Sequence, residues 1–228
     1  MNHKVKFNLG AGLKSISLHQ FLEKEQDMEN IISLRKTNTK NIVMTGMLGA
    51  LSTILMLLEI SVPFAPTFVK FDFSELPVII GGFLMGPVYG VMVAAIKILL
   101  NFVFNGTTTA GIGELANFLG SVMYVLPASI IYYRKKTKKV AKISLVIATL
   151  FVSVMMVLAN TYVIFPLYIT ALQIPKDVII GMATATNPLV TDMFTMMLFS
   201  LLPFNLLKYG IVSVIAFFVY KKISILFK

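Results

Sequence analysis

The chain has 228 residues, 57% of them hydrophobic and 13% charged, with a formal net charge of +10 and no cysteine. A mean hydropathy of +0.85 excludes a water-soluble surface and marks an integral membrane protein, and the lack of cysteine excludes disulfides and thiolate chemistry. The apolar stretches exceed the ~10 residues of a barrel strand and lack period-2 alternation, so helices are the spanning unit and the expected fold is an all-α membrane bundle.

Residues 1 to 40 are polar and hold both histidines, His3 and His19, which leaves none for metal or acid–base chemistry inside the membrane. They read as a cytoplasmic tail, with weak amphipathic patterning from Leu18 to Ile32 that suits a surface helix. The membrane domain then runs from 41 to 222. Its first span, Asn41 to Ile60, carries Gly46 and Ala50 four apart on one face with Gly49 beside them, a spacing that lets another helix approach closely. Pro63 and Pro66 stop that helix, and the loop that follows holds Phe68, Lys70, Asp72 and Glu75. Ser74 is placed to cap the next helix, Glu75 to sit in its first turn, and Pro77 is tolerated there. Gly82, Gly86, Gly90 and Ala94 recur every four residues across Gly86-Pro87, which predicts a tightly packed corner between helices two and three.

Helix three is expected to reach Phe104, with Lys97 near its middle. At that depth a lysine snorkels or finds an acid, and Asp72 and Glu114 are available. After the polar turn NGTTTAGIG, helix four runs from Glu114 to Tyr133 with Asn117 on its first turns. The basic run RKKTKK follows, then helix five from Ile143 to Phe165 with Asn160 and Tyr162 near its end. Pro166 and Pro203 read as helix boundaries: 192 to 202 is expected to be a short interfacial or re-entrant helix, and helix six to start at Pro203 and lead into a basic tail, 223 to 228.

Six spans put both termini on the same side as the Gly86 corner and the basic run. Arg35, Lys36, Lys40, Arg134 to Lys142, Lys221, Lys222 and Lys228 all fall there, against Lys70 and Lys176 opposite, so the positive-inside rule makes that side cytoplasmic. The charge is thus topological and does not point to nucleic acid. On the opposite side Phe68, Lys70, Asp72, Glu75, Asn117, Asn160, Tyr162, Asn205 and Lys208 come to one membrane level. Amide and ammonium donors among aromatics suit a flat heteroaromatic ligand with ring carbonyls and nitrogens. The chain has no phosphate-cradling G-x-x-x-x-G-K-[ST] loop and no run of intramembrane acids, so any work of transport comes from a partner.

The stretches PFAPTFVKFDFSELPVIIGGFLMGPVYG, IKILLNFVF, GELANFLGS, NTYVIFPLY and PFNLLKYG, in that order, resemble the substrate-binding S component of energy-coupling factor (ECF) vitamin transporters, in its riboflavin-binding branch. The resemblance implies a six-helix bundle with an outward-facing pocket in a bacterial plasma membrane, riboflavin as transported ligand with no cofactor, and two cytoplasmic ATPases plus a membrane coupling subunit as partners. Gly46, Gly49 and Ala50 would form the docking face for that coupling subunit. The family's ligand contacts fall on Asn160, Asn205, Lys208, Ala65, Phe68 and Lys70. Lys70 stands where the family has a small hydroxyl residue, and an added cation there would favour a phosphorylated flavin. The alternatives are a different vitamin, FMN or FAD, or an intramembrane enzyme using Asp72 and Glu75 as an acid/base pair.

Overall fold

The computed structural model describes residues 4–7, 14–66 and 68–226, and the chain divides into two compact units, Met1–Val43 and Met44–Lys228. In the first, β1 (Lys4–Phe7) pairs antiparallel with β2 (Lys14–Ser17), Lys4 opposite Ser17. Helix α1 covers Leu18–Leu57, and its apolar part is Thr39–Leu57.

The second unit is a helical bundle. A two-stranded ribbon, β3 (Ile60–Ser61) with β4 (Lys70–Phe71), brackets the loop after α1. The helices are α2 (Glu75–Met85), α3 (Pro87–Asn105), α4 (Ile112–Arg134), α5 (Lys138–Ala159), α6 (Phe165–Ala171), α7 (Lys176–Thr184), α8 (Met193–Met196) and α9 (Leu202–Leu226). Packing runs α2 on α3, α4 and α9, α3 on α4, α4 on α5, and α5 on α9. The shared core contains Val78, Ile79, Phe83, Val93, Tyr124, Val125, Leu145, Val152 and Val212. Polar side chains tie the helices inside it: Tyr124 and Thr149 both bond the Ser213 hydroxyl, at 2.7 and 2.8 Å, joining α4, α5 and α9. The outer face is apolar as well, with Val103, Phe104 and Phe218 about 70% exposed, as lipid contact requires.

Among the described residues, five helical stretches are long and apolar enough to cross a membrane. The expected sixth, α2, has only 11 residues, about 16 Å at 1.5 Å per residue against a hydrocarbon core of ~30 Å. Its shortness has a visible cause. α2 runs alongside α4 in the same direction: Glu75 meets Ser121, Gly82 faces Val125 and Ser129, and Gly86 lies against Tyr133. The start of α2 is therefore level with the middle of α4, and the first turns of α4 are left for the loop and a cavity.

The corner forms as the glycine spacing predicts. Gly86 has φ +110°, which a side chain tolerates poorly, and Pro87 opens α3 at a position where the N–H it lacks would have no partner within the helix. A Cβ on Gly90 would lie 2.9 Å from the Gly82 Cα, so the two helices touch backbone to backbone.

Two expected helix ends are corrected. Helix five does not stop before Pro166 but continues through a π-helical turn, Asn160–Ile164, into α6, giving an apolar span of Lys138–Ala171. Helix six does not start at Pro203; it begins at Met193 and passes through a second π-helical turn, Met197–Leu201, into α9. In each case proline lies two residues beyond the wider turn, where the backbone has already shifted to i→i+5 bonds, as from Phe165 N–H to Asn160 C=O and from Leu202 N–H to Met197 C=O.

Candidate functional site

The loop before α2 is fixed by charge. Asp72 Oδ1 accepts from the Ser74 amide at 2.8 Å, a local turn that sets up the helix start. Asp72 Oδ2 accepts from Lys208 Nζ of α9 at 2.8 Å, across 136 residues of chain. Burial pushes the Asp72 carboxyl up, but the Lys208 ammonium, with Lys97 behind it, more than offsets this and holds it below the ordinary carboxylate value. Three residues on, Glu75 Oε1 accepts from Lys97 Nζ and from the Ser121 hydroxyl, both at 2.7 Å. Lys97 also donates to Ser121 Oγ at 2.8 Å and Ser74 Oγ at 3.2 Å. The Ser52 hydroxyl of α1 donates to the Ser74 carbonyl. Two buried ion pairs therefore bind the loop and the start of α2 to α3 and α9, and serine hydrogen bonds add α1 and α4.

This overturns three expectations. The acid that holds Lys97 is Glu75; Asp72 belongs to Lys208, and Glu114 accepts instead from the Thr107 and Thr109 hydroxyls at 3.1 and 3.3 Å. Ser74 does not cap α2 with its side chain: its backbone is already helical, at φ −62° and ψ −23°, and its hydroxyl accepts from Lys97 instead. Asp72 and Glu75 do not form an acid/base pair, since each carboxylate ends on its own lysine.

Above the ion pairs lies a cavity of about 160 Å³. It is lined by Phe68, Lys70 and Asp72 of the loop, Asn117 of α4, Asn160 of the first π turn, and Asn205 and Lys208 of α9, so seven of the sequence-derived candidates meet there. Glu59, Phe165, Tyr168, Phe204 and Tyr209 complete most of its wall. Space for the Tyr209 hydroxyl comes from Gly120, where a Cβ would collide with it. Asn160 and Asn117 each give one amide N–H to the carbonyl four residues back, Met156 at 2.6 Å and Gly113 at 3.2 Å, leaving the second free. Asn205 is 6% exposed and its carboxamide has no partner among the described residues. A second, apolar cavity of about 150 Å³ shares Phe68, Phe165 and Tyr168 with the first and adds Leu172, Ile174 and Ile179. Phe68 meets Phe165 edge to face with centroids 6.1 Å apart, so an aromatic partition separates the two.

Two candidates do not line the cavity. Tyr162 is 75% exposed and borders an apolar groove on the outer surface of the bundle, with Leu158 and Phe194. It is two residues from Asn160, and positions i and i+2 do not share a helix face. Ala65, 2% exposed, packs with Phe71 and Phe204 beneath the wall. Lys70 is not a spare cation: its Nζ lies 3.9 Å from Glu59 Oε1 and donates to the Ser61 hydroxyl at 3.1 Å. The proposed docking face is also narrower than expected. A Cβ on Gly49 would collide with Ile96 of α3, so Gly49 packs inward, whereas Gly46 has open space and Ala50 is exposed beside Met47 and Ile54.

Residues 40–220 match the family model of the ECF transporter substrate-specific component. The chain belongs to this family. The S component is 28% identical to the riboflavin transporter RibU of Staphylococcus aureus, covering 84% of this chain and 94% of that one. It is 31% identical to the riboflavin transporter FmnP of Bacillus subtilis over 78% of this chain and 88% of that one. The solved structure of the S component of a bacterial ECF transporter superposes with a TM-score of 0.65 at 28% identity, covering 84% of this chain and 99% of that one. The protein is thus a multi-pass membrane component of a transporter rather than an enzyme.

Proposed function

We propose that this S component captures riboflavin in the cavity beneath the loop 58–74 and delivers it to an energy-coupling module. The observation that carries this is the Asn205 carboxamide, which lines the cavity with the Lys208–Asp72 pair, has no partner among the described residues and shares its walls with Phe68, Phe165, Tyr168 and Tyr209. An amide facing an enclosed aromatic-walled cavity is placed to bond a ligand, and an isoalloxazine edge supplies carbonyl and ring-nitrogen acceptors for it on a flat apolar body. The likeness to riboflavin transporters points to the same ligand.

In this reading Asn205 and Lys208 donate to the ring, Asn160 and Asn117 offer their remaining N–H groups, and Phe68 packs on the ring. The larger cavity alone is below the ~300 Å³ at which drug-sized ligand pockets begin, while the two cavities together reach that bound. Binding therefore displaces Phe68, the one residue of the partition carried on the loop. Ala65 and Tyr162 support the site only indirectly.

The short helix α2 still reverses the chain, so it counts as the sixth crossing and puts both termini with the basic run on the cytoplasmic side of a bacterial plasma membrane. The pocket then opens outward. Two ATPase subunits and a membrane coupling subunit supply the work, and the coupling subunit docks on the Gly46 and Ala50 face of α1. The test is a titration of the purified protein with riboflavin, thiamine, folate and pyridoxine. Quenching of flavin fluorescence at a one-to-one ratio supports the reading; binding of another vitamin in preference to riboflavin overturns it.

A further inference from the structure

Four ionisable side chains of fixed charge line the larger cavity, and they cancel. Asp72 and Lys208 lie at its floor, with side chains 5% exposed. Glu59 and Lys70 lie at its rim, 45% and 36% exposed, with Nζ and Oε1 3.9 Å apart. The rim pair is built by strand register. Ser61 stands opposite Lys70 in the β3–β4 ribbon and holds its ammonium, while Glu59 immediately precedes β3.

We propose that Glu59 and Lys70 form a charge-balanced rim that makes the site discriminate against phosphorylated flavins in favour of the uncharged vitamin. This rests on the flavin-binding reading, with the ring at the floor among Asn205 and Lys208 and the ribityl chain running toward the rim. A ribityl chain ends in a hydroxyl; its phosphate ester carries about −1.5 to −2 charges at neutral pH. An unmatched lysine at that place would attract the phosphate as a point charge. Glu59 cancels that attraction, so the rim gives the phosphate no net gain to offset its loss of solvation. A neutral polyol is indifferent to the balance, because its hydroxyls both donate to a carboxylate and accept from an ammonium. The rim pair is exposed and adds little to fold stability, so its members are accessible to substitution.

The test compares affinities for riboflavin and riboflavin 5′-phosphate by flavin fluorescence, in the full-length protein and in Glu59→Gln, Lys70→Met and the double variant. Glu59→Gln should raise the phosphate-to-riboflavin affinity ratio about fivefold or more, the size of one exposed charge contact at 4 Å. Lys70→Met should lower it by a similar factor, and the double variant should return it to within about twofold of wild type, with both shifts shrinking at 1 M salt, where screening acts over about 3 Å. A ratio unmoved by either substitution, or moved the same way by both, overturns the rim proposal while leaving riboflavin binding intact. Failure of the wild-type protein to bind either flavin overturns the flavin reading itself.

Discussion

The two ends of α2 are held by opposite means. At Gly86 the helix is closed by removing side chains: Gly82 and Gly90 bring backbones into contact, and nothing polar is required. At Glu75 it is closed by adding charges, with two lysines and two carboxylates carried below the surface and matched in place. A dry corner of this kind is rigid because an atom added at Gly90 meets the Gly82 backbone and one added at Gly82 meets Val125 and Ser129. An ionic end is rigid only while every partner is present, since each buried charge depends on another. The cavity lies at the ionic end, which is where a ligand can exchange with a protein partner. Asp72 and Lys208 hold one another at the floor of the cavity, where the lysine is a charged donor.

The comparison is broken most severely at Lys97. Lys97→Met leaves the Glu75 carboxylate buried without its ammonium and should cost about 3–5 kcal/mol, read as a large drop in unfolding temperature in detergent. The paired change Lys97→Met with Glu75→Leu should recover most of that loss, as replacement of a whole buried pair usually does; if the double variant is no better than the single one, the two residues do not act as a pair. Lys208→Ala comes next and carries two effects, a lost donor to the ligand and a stranded Asp72, so apo stability should fall along with affinity. At the dry corner, Gly90→Ala should cost about 1–3 kcal/mol through overpacking against the Gly82 backbone, whereas Gly46→Ala, with open space around it, should leave the isolated protein's stability within about 0.5 kcal/mol. Tyr162→Ala should be the mildest for binding: its side chain points away from the cavity, and flavin affinity should stay within about twofold, a change of some 0.4 kcal/mol.

How much of this was legible in the chain follows from the range of each interaction. The glycine corner is a local pattern of period four, and it reads directly from Gly82, Gly86 and Gly90. The loop, Asn117, Asn160, Asn205 and Lys208 were also found, because polar residues near the ends of apolar stretches stand out against their surroundings. Which acid meets which lysine was not legible: Asp72 in the loop and Glu75 at the start of α2 are only three apart, and only the packing of α3 and α9 assigns Lys208 to the first and Lys97 to the second. Glu59 was missed because it follows the first span closely and reads as an ordinary boundary charge; the strand register with Lys70 gives it a place in the cavity. The helix ends at Pro166 and Pro203 were misread for a specific reason. A proline ends a helix only if the i→i+4 ladder reaches it, and a π turn two residues earlier changes the ladder. Tyr162 was the avoidable error, since two-residue spacing from Asn160 already turns it away.

The central claim is that Asn205, which lines the cavity with no partner among the described residues, is a ring-binding donor rather than a structural one. It is tested most directly by titrating riboflavin into Asn205→Ala while following the unfolding temperature of the apo protein. The account predicts an affinity at least tenfold weaker, within the ~1–3 kcal/mol of a lost buried hydrogen bond, with the apo unfolding temperature unchanged. An unchanged affinity, or a loss of binding that only tracks a loss of apo stability, would contradict it.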